Sequence, residues 1–436
     1  MNDTHKNNLI CILFSLFLGG AFLACLLLPK PSYSDTERRP LAAMPEFSAK
    51  TVADGRFMKG FEAYAQDSFP LRDQFRSLKA LTAAGIFQKK DNNGIYVSQG
   101  YAAAMEYPMD QASLERAASR FRYLYDTCLD QTNRVYLSVI PDKNCFLAGE
   151  SGRLSMDYAA LEREMERLTG DFARYLPISH LLSKEDYYHT DTHWRQERIT
   201  DVAQCLLEGM RGGMEERNNE AEEMSGRTED GQDKTGEKNG GTDELRGETG
   251  EKNDGTEERP GETGEKNDGA EERPGGAKAG QEPLPPQYTP VTATENFRGV
   301  YYGQSALPLA PEPLVYLDSS AIQACRVHDW QNGREIPMYD RQRAEGKDPY
   351  ELFLSGPLSL ITIQNPQAKT DRRLVLFRDS FGSSIAPLLI EDYAQITLVD
   401  IRYIQPGFLN SMVDFEGCDV LFLYSTLVLN HSETLK

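Results

Sequence analysis

The chain has 436 residues, enough to bury at least one large core, and carries a formal charge of −20. That acidity is concentrated: residues 213–285 hold 22 acidic and 10 basic side chains, a net of −12, which leaves −8 for the remainder. Such acidity argues against nucleic acid as a partner of this region, no nucleic-acid partner is expected, and the milder charge elsewhere commits to none. Seven cysteines, at 11, 25, 128, 145, 205, 325 and 418, include no C-x-x-C pair, so neither a zinc site nor a thioredoxin-like motif is indicated. Two of them fall in an apolar N-terminal run. The other five read as mostly buried thiols, with one disulfide open but unassigned.

Residues 9–28 contain no charge and are long enough to cross a bilayer as a helix. A cleaved signal peptide has a shorter apolar region ending in small residues, whereas this run continues to Leu28 and stops at Pro29-Lys30. Residues 1–30 are therefore expected to be an uncleaved single-pass anchor with the main body outside the cytoplasm. Residues 31–53, with three prolines and no sustained periodicity, read as a stalk. Phe57, Phe61 and Tyr64, then Phe75, Leu78 and Leu81, recur at helical spacing and mark two amphipathic helices. Asn93-Gly94 predicts a tight turn before a short strand, Ile95-Tyr96-Val97. A helix is expected over 111–129, an uninterrupted apolar strand over 135–140, and further helices over 161–168 and 194–210.

The acidic stretch 213–285 breaks this alternation. Its fourteen residues at 247–260 return at 261–274 with only Thr256 replaced, by Ala270. Almost no apolar side chain is available to offset the entropy of ordering, so the stretch is expected to be a disordered insertion in a loop of the domain. The ordered pattern resumes at Phe297–Tyr302. Strands follow at 374–377, 396–399 and 420–424, with a helix over 384–393 between the first two. Strand–helix–strand units with unbroken apolar strands predict an α/β domain, 54–212 joined with 286–436, built on a mainly parallel sheet flanked by helices. Ligands of such sheets gather at the carboxyl ends of the strands. Ser380, Asp400, Arg402 and the Pro141–Lys143 turn fall at such ends.

The chemistry-bearing stretch is Tyr-Tyr-His-Thr-Asp-Thr-His-Trp, residues 187–194. On an extended backbone Asp191 and His193 project to one side, which suits a carboxylate that orients an imidazole. Ser380, as nucleophile, would complete a Ser-His-Asp set with His193 as base and Asp191 as orienter. The strand-to-helix turn at Ser380 would aim backbone N–H groups at an oxyanion, and Arg402, Tyr403, Lys143 and Arg378 are the candidates for further oxyanion or substrate contacts. Three other readings stand beside this one. Ser380 also reads as a plain helix cap, His193 as a core histidine, and His189, Asp191 and His193 alternate as three metal ligands would.

The segments Asp191-Thr192-His193-Trp194 and Arg378-Asp379-Ser380-Phe381-Gly382, in this order, resemble those of the DHHW proteins, relatives of the alginate O-acetyltransferases with an SGNH-hydrolase-like fold. Supporting segments are Glu37–Leu41, Tyr64–Asp73, Val139–Lys143 and Val399–Tyr403. The resemblance implies a Ser380-His193-Asp191 triad that needs no cofactor or metal and moves an acetyl group on or off a polysaccharide outside the cytoplasm. It also implies a membrane-bound O-acyltransferase as the partner that supplies acetyl groups. The same site with water as acceptor would make a carbohydrate esterase, and the fold without the chemistry a glycan-binding or assembly protein. The serine segment departs from the family's Lys-Asp-Ser-Tyr by having Arg378 and Phe381, with Ser383 and Ser384 near where an Asn is usual, and Arg195 replaces a small polar residue. These departures bear on the oxyanion and substrate contacts.

Overall fold

The uninterrupted apolar runs become the middle of one sheet. In the computed structural model, which describes residues 3–34, 36–89, 91–212, 285 and 287–436, eight strands lie side by side. They are β1 (Arg134–Ile140), β2 (Arg174–Tyr175), β3 (Arg326–Asp329), β4 (Arg334–Ile336), β5 (Leu360–Gln364), β6 (Arg373–Arg378), β7 (Gln395–Val399) and β8 (Asp419–Ser425). Their spatial order is β4-β3-β5-β7-β6-β8-β1-β2. The block β7-β6-β8-β1-β2 is parallel throughout, and β5, β3 and β4 extend it antiparallel. The protein is thus a mixed α/β fold around a large, mostly parallel sheet.

Both faces of that sheet are covered, which is why its strands read as unbroken apolar runs. Leu374 and Leu376 of β6 and Leu421 and Leu423 of β8 point into one core, shared with Val202 and Leu206 of a helix over 200–212 and with Ile385 and Leu388 of helix Phe381–Leu389. Val375, Phe377, Val420 and Phe422 point into the other, with Phe121 of helix Gln111–Cys128 and Leu161 of helix Tyr158–Thr169. Asp110 and Asp157 cap those last two helices by accepting from Ser113 N and Ala160 N. β1 and β2 precede the acidic segment and the other six strands follow it, so the two halves of the sequence share one sheet. The acidic segment itself, with its expected disorder, falls outside the described residues apart from residue 285.

Several elements differ from expectation. The helix read from Trp194 starts only at residue 200, after a 3₁₀ turn at Gln196–Arg198. Gln196 is the cause: its Oε1 accepts from Leu317 N at 2.7 Å and its Nε2 donates to Ser384 O at 2.6 Å, holding the segment to its neighbours. The helix expected over 384–393 begins at Phe381, so its first turn follows Ser380 directly. A hairpin, Thr289–Phe297 with Glu312–Asp318, and the strands β3 to β5 had no clear sequence signal, because short strands with polar and bulged positions lack period-two alternation. Among the described residues no two cysteines are joined in a disulfide, and of the five outside the apolar run only Cys418 is buried, the others being partly exposed.

The N-terminal helix Asp3–Leu27 is long and apolar enough to cross a membrane over His5–Cys25. The stretch 31–53, expected as a stalk, is in part docked against the domain. Thr36 runs so close to Gly303 that a Cβ there would lie 1.6 Å from the Thr36 carbonyl oxygen. Helices Arg56–Asp67 and Arg72–Leu81 form where the stripes indicated, but none of their large stripe residues is fully buried.

Candidate active site

Ser380 follows the carboxyl end of β6, the strand flanked by β7 and β8, and occupies the N-cap position of helix Phe381–Leu389. Its hydroxyl makes no capping bond. It lies instead 2.7 Å from Nε2 of His193. The turn is fixed by Asp379, whose Oδ1 accepts from Phe381 N at 3.0 Å and whose Oδ2 accepts from Ser425 N, at the end of β8, at 2.8 Å. Gly382 lets this turn close: a Cβ there would come within 2.5 Å of Arg378 Cβ.

His193 and Asp191 occupy the tip of an irregular hairpin closed by the bridge between Tyr187 and Trp194, not an extended strand. What brings them together is a local turn, in which Asp191 Oδ1 accepts from both His193 N, at 3.1 Å, and the ring Nδ1, at 2.5 Å. The other oxygen, Oδ2, accepts from Val300 N at 2.8 Å and lies 3.6 Å from Arg38 Nη1. Gly299 makes this approach possible, since a Cβ there would lie 2.2 Å from Asp191 Cβ. Burial alone would push the Asp191 carboxyl up, but the imidazole, Arg38 and the Val300 N–H outweigh it and hold the group well below the usual carboxylate range. An ionised Asp191 only accepts, so Nδ1 donates to it and Nε2 is left as the acceptor facing the Ser380 hydroxyl.

The imidazole plane is set by stacking. His193 lies 3.7 Å, centroid to centroid, from the Tyr350 ring with 9° between planes, and Phe381 packs at 4.9 Å. Tyr350 Oη and Trp194 Nε1 both donate to Ser384 Oγ at 2.8 Å, so one hydroxyl on helix Phe381–Leu389 fastens the residues on either side of the base.

The remaining candidates have other partners. Arg378 is buried, with its guanidinium 3.4 Å from Asp400 Oδ2 and 3.3 Å from Leu358 O. Arg402 pairs with the same Asp400 at 2.7 Å, and Tyr403 is exposed beside it. Lys143 is buried too; Nζ donates to Tyr188 O at 2.7 Å and lies 5.1 Å over the Tyr301 ring. Burial pushes its ammonium down to about 7 against the opposing pull of Asp191, Glu312 and Asp142. Lys143 therefore braces the backbone of the His193 hairpin. His189 belongs to a different cluster: Nδ1 meets Glu312 Oε2 at 2.9 Å, and the same carboxylate accepts from His189 N and Thr190 N. The three ligands of the metal reading do not converge.

Sequence reasoning passed over Arg38, Gly299 and Tyr350. Arg38 lay within a noted segment without a role. Gly299 lay inside the noted stretch Phe297–Tyr302, where an isolated glycine among aromatic residues is a signal for close backbone approach. Nothing local marked Tyr350.

No protein-family model and no curated protein matches the chain. Among solved structures, a DHHW family protein from Eubacterium siraeum superposes on 79% of this chain and 95% of its own, with a TM-score of 0.50 at 16% identity. The chain has the fold of a DHHW family protein. It is also similar to Bacillus cereus PatB1 carrying a sulfonyl adduct, over 77% of this chain and 95% of that one, with a TM-score of 0.48 at 13% identity. The O-acetyltransferase domain of Pseudomonas putida AlgJ superposes on 77% of this chain and 92% of its own, with a TM-score of 0.39 at 10% identity. Within this DHHW-type fold the Asp191–Trp194 segment has a division of labour legible in its contacts. Asp191 holds the ring, His193 faces the serine, and Trp194 anchors the hairpin to helix Phe381–Leu389.

Proposed function

We propose that the protein is a serine-dependent O-acetyltransferase of SGNH-hydrolase type, modifying a cell-surface or secreted polysaccharide through an acetyl-serine intermediate. One observation carries this reading: the Ser380 hydroxyl stands at a helix N-cap yet meets a carboxylate-held imidazole instead of the backbone. A serine serving only as a cap would accept from the first turn of its helix.

In the proposed reaction Ser380 Oγ attacks the acetyl carbonyl while its proton passes to His193 Nε2. The imidazolium is stabilised by Asp191, and its proton leaves with the donor's departing group. A sugar hydroxyl then gives its proton to Nε2 and attacks the acetyl-serine, which restores Ser380 and yields the sugar ester. Phe381 N and Gly382 N are engaged by Asp379, which leaves Ser380 N–H as the turn's oxyanion donor. Arg38, near Asp191 and paired with Asp348 at 2.8 Å, acts as a positioning residue.

The N-terminal helix supports a single-pass anchor, and we place the catalytic body outside the cytoplasm, where the polysaccharide acceptor is found. Acetyl-CoA is absent there, so the donor is a membrane-bound O-acyltransferase. The second reading, a carbohydrate esterase, differs only in the acceptor. It is favoured by the partial exposure of Ser380, which leaves the acetyl-serine within reach of water. Turnover of a chromogenic acetate, followed by mass analysis of an added oligosaccharide, tests the proposal. Acetylated oligosaccharide supports transfer, and hydrolysis alone supports the esterase. No turnover of either kind contradicts both and leaves a glycan-binding or assembly protein.

A further inference from the structure

The apolar stripes of the two N-terminal helices have no core to join. Among the described residues beyond Leu28, twelve of the nineteen exposed large apolar side chains fall within residues 44–87. The set includes Met58 and Phe61 on helix Arg56–Asp67 and Phe75 and Leu78 on helix Arg72–Leu81, each at least 40% exposed. Exposed apolar residues scattered singly are ordinary, but a concentration of this kind marks a surface that something covers. A groove of about 1070 Å³ runs between the helices, lined by these aromatic residues together with Lys59 and Lys79.

The position of this surface indicates its occupant. The apolar N-terminal helix ends at Leu27, and Lys30, three residues on, donates to Tyr64 Oη and lies 4.4 Å over the Tyr64 ring. Three residues of extended chain span about 10 Å at most. Helix Arg56–Asp67 is therefore tied to the level at which the N-terminal helix leaves the hydrocarbon. Phe47 packs edge-on against Phe57 at 5.2 Å, which stacks on Phe61 at 6.0 Å and extends the aromatic surface away from that point. Charge agrees as well. Residues 44–87 carry six basic and five acidic side chains in a chain whose net charge is −20, so this surface escapes the acidity that an anionic headgroup layer would repel.

We propose that residues 44–87 form a membrane-surface collar, with both helices lying in the headgroup layer and Met58, Phe61, Phe75 and Leu78 against the acyl chains. This rests on the N-terminal helix being a membrane span. Helices of this type lie about 5–10 Å into the boundary between headgroups and acyl chains. The collar also holds the segment that reaches the active site. Asp67 pairs with Arg39 at 2.7 Å, and Arg72 and Arg76 pair with Glu37, on either side of Arg38. Seating the collar on the bilayer thereby fixes the height of the Ser380 site above it.

The test uses the full chain reconstituted in phosphatidylcholine–phosphatidylglycerol vesicles, with plain or brominated acyl chains. Wild type carries only Trp194, buried, and Trp330, exposed, so its emission in each vesicle type is measured and subtracted as a background common to every variant. Met58→Trp and Leu78→Trp report on the collar, and Phe17→Trp reports on the span. In brominated vesicles all three added signals should lose more than half of their intensity. Quenching of Phe17→Trp without quenching of Met58→Trp and Leu78→Trp overturns the collar. An unquenched but blue-shifted emission would then identify a protein cover, either a second copy or a partner. If Phe17→Trp is not quenched, the span itself is refuted and the collar falls with it.

Discussion

At the scale of single residues, the candidate site depends on one tautomer. Asp191 stays ionised because the groups around it outweigh its burial, and that compels Nδ1 of His193 to donate and Nε2 to accept. Asp191→Asn presents a neutral amide that can also donate, so the opposite tautomer becomes accessible. Ester turnover is expected to fall about 10⁴-fold. Ser380→Ala and His193→Ala should each cost at least about 10³-fold in kcat, and combining them should cost little more, because the two act as a unit. Lys143 gives a pH signature in stability instead. Its folded pKa is lowered from 10.5 to about 7, so the unfolded chain binds more protons between those values, and stability rises as pH increases through that window. Lys143→Met should flatten that rise in a melting-temperature series, whereas an unchanged slope would assign it to other groups. The pairing of Asp191 with His193 was legible in the sequence from their spacing, although the reason given, an extended strand, was not the actual one. The bracing role of Lys143 was not legible, since only the fold brings Tyr188 O to its Nζ.

At the scale of elements, the site is assembled by close approaches that only glycine permits. Gly299 against Asp191 lets two distant segments meet without a gap, and Gly382 against Arg378 lets the turn that carries Ser380 close. Gly299→Ala is expected to destabilise the protein by about 2–3 kcal/mol, because the new methyl group meets backbone and Cβ atoms that cannot swing away. Thermal or denaturant unfolding measures this, and a loss below about 0.5 kcal/mol would show that the hairpin tip relaxes freely. The buried strands β1, β6, β7 and β8 could be read from the sequence because burial on both faces demands unbroken apolar runs. The edge strands and the Thr289–Phe297 hairpin could not, since their polar positions and bulges carry no period. The late start of the helix over 200–212 was equally hidden. It depends on Gln196 bonding to Leu317 and Ser384, contacts more than a hundred residues away in sequence.

At the scale of the whole molecule, the chain joins an apolar N-terminal helix, a docked linking segment and a mixed α/β body whose sheet draws strands from both sides of the acidic segment. On the proposed orientation, protease added to intact cells should digest the body, while digestion only after lysis would reverse that orientation. The central claim concerns Ser380, and mass measurement of the intact protein tests it most directly. After incubation with an activated acetate ester, wild type should gain one acetyl group that maps to Ser380, while Ser380→Ala and His193→Ala should gain none. An unmodified wild type across the pH range, or equal labelling of Ser380→Ala, would contradict the assignment of Ser380 as the nucleophile.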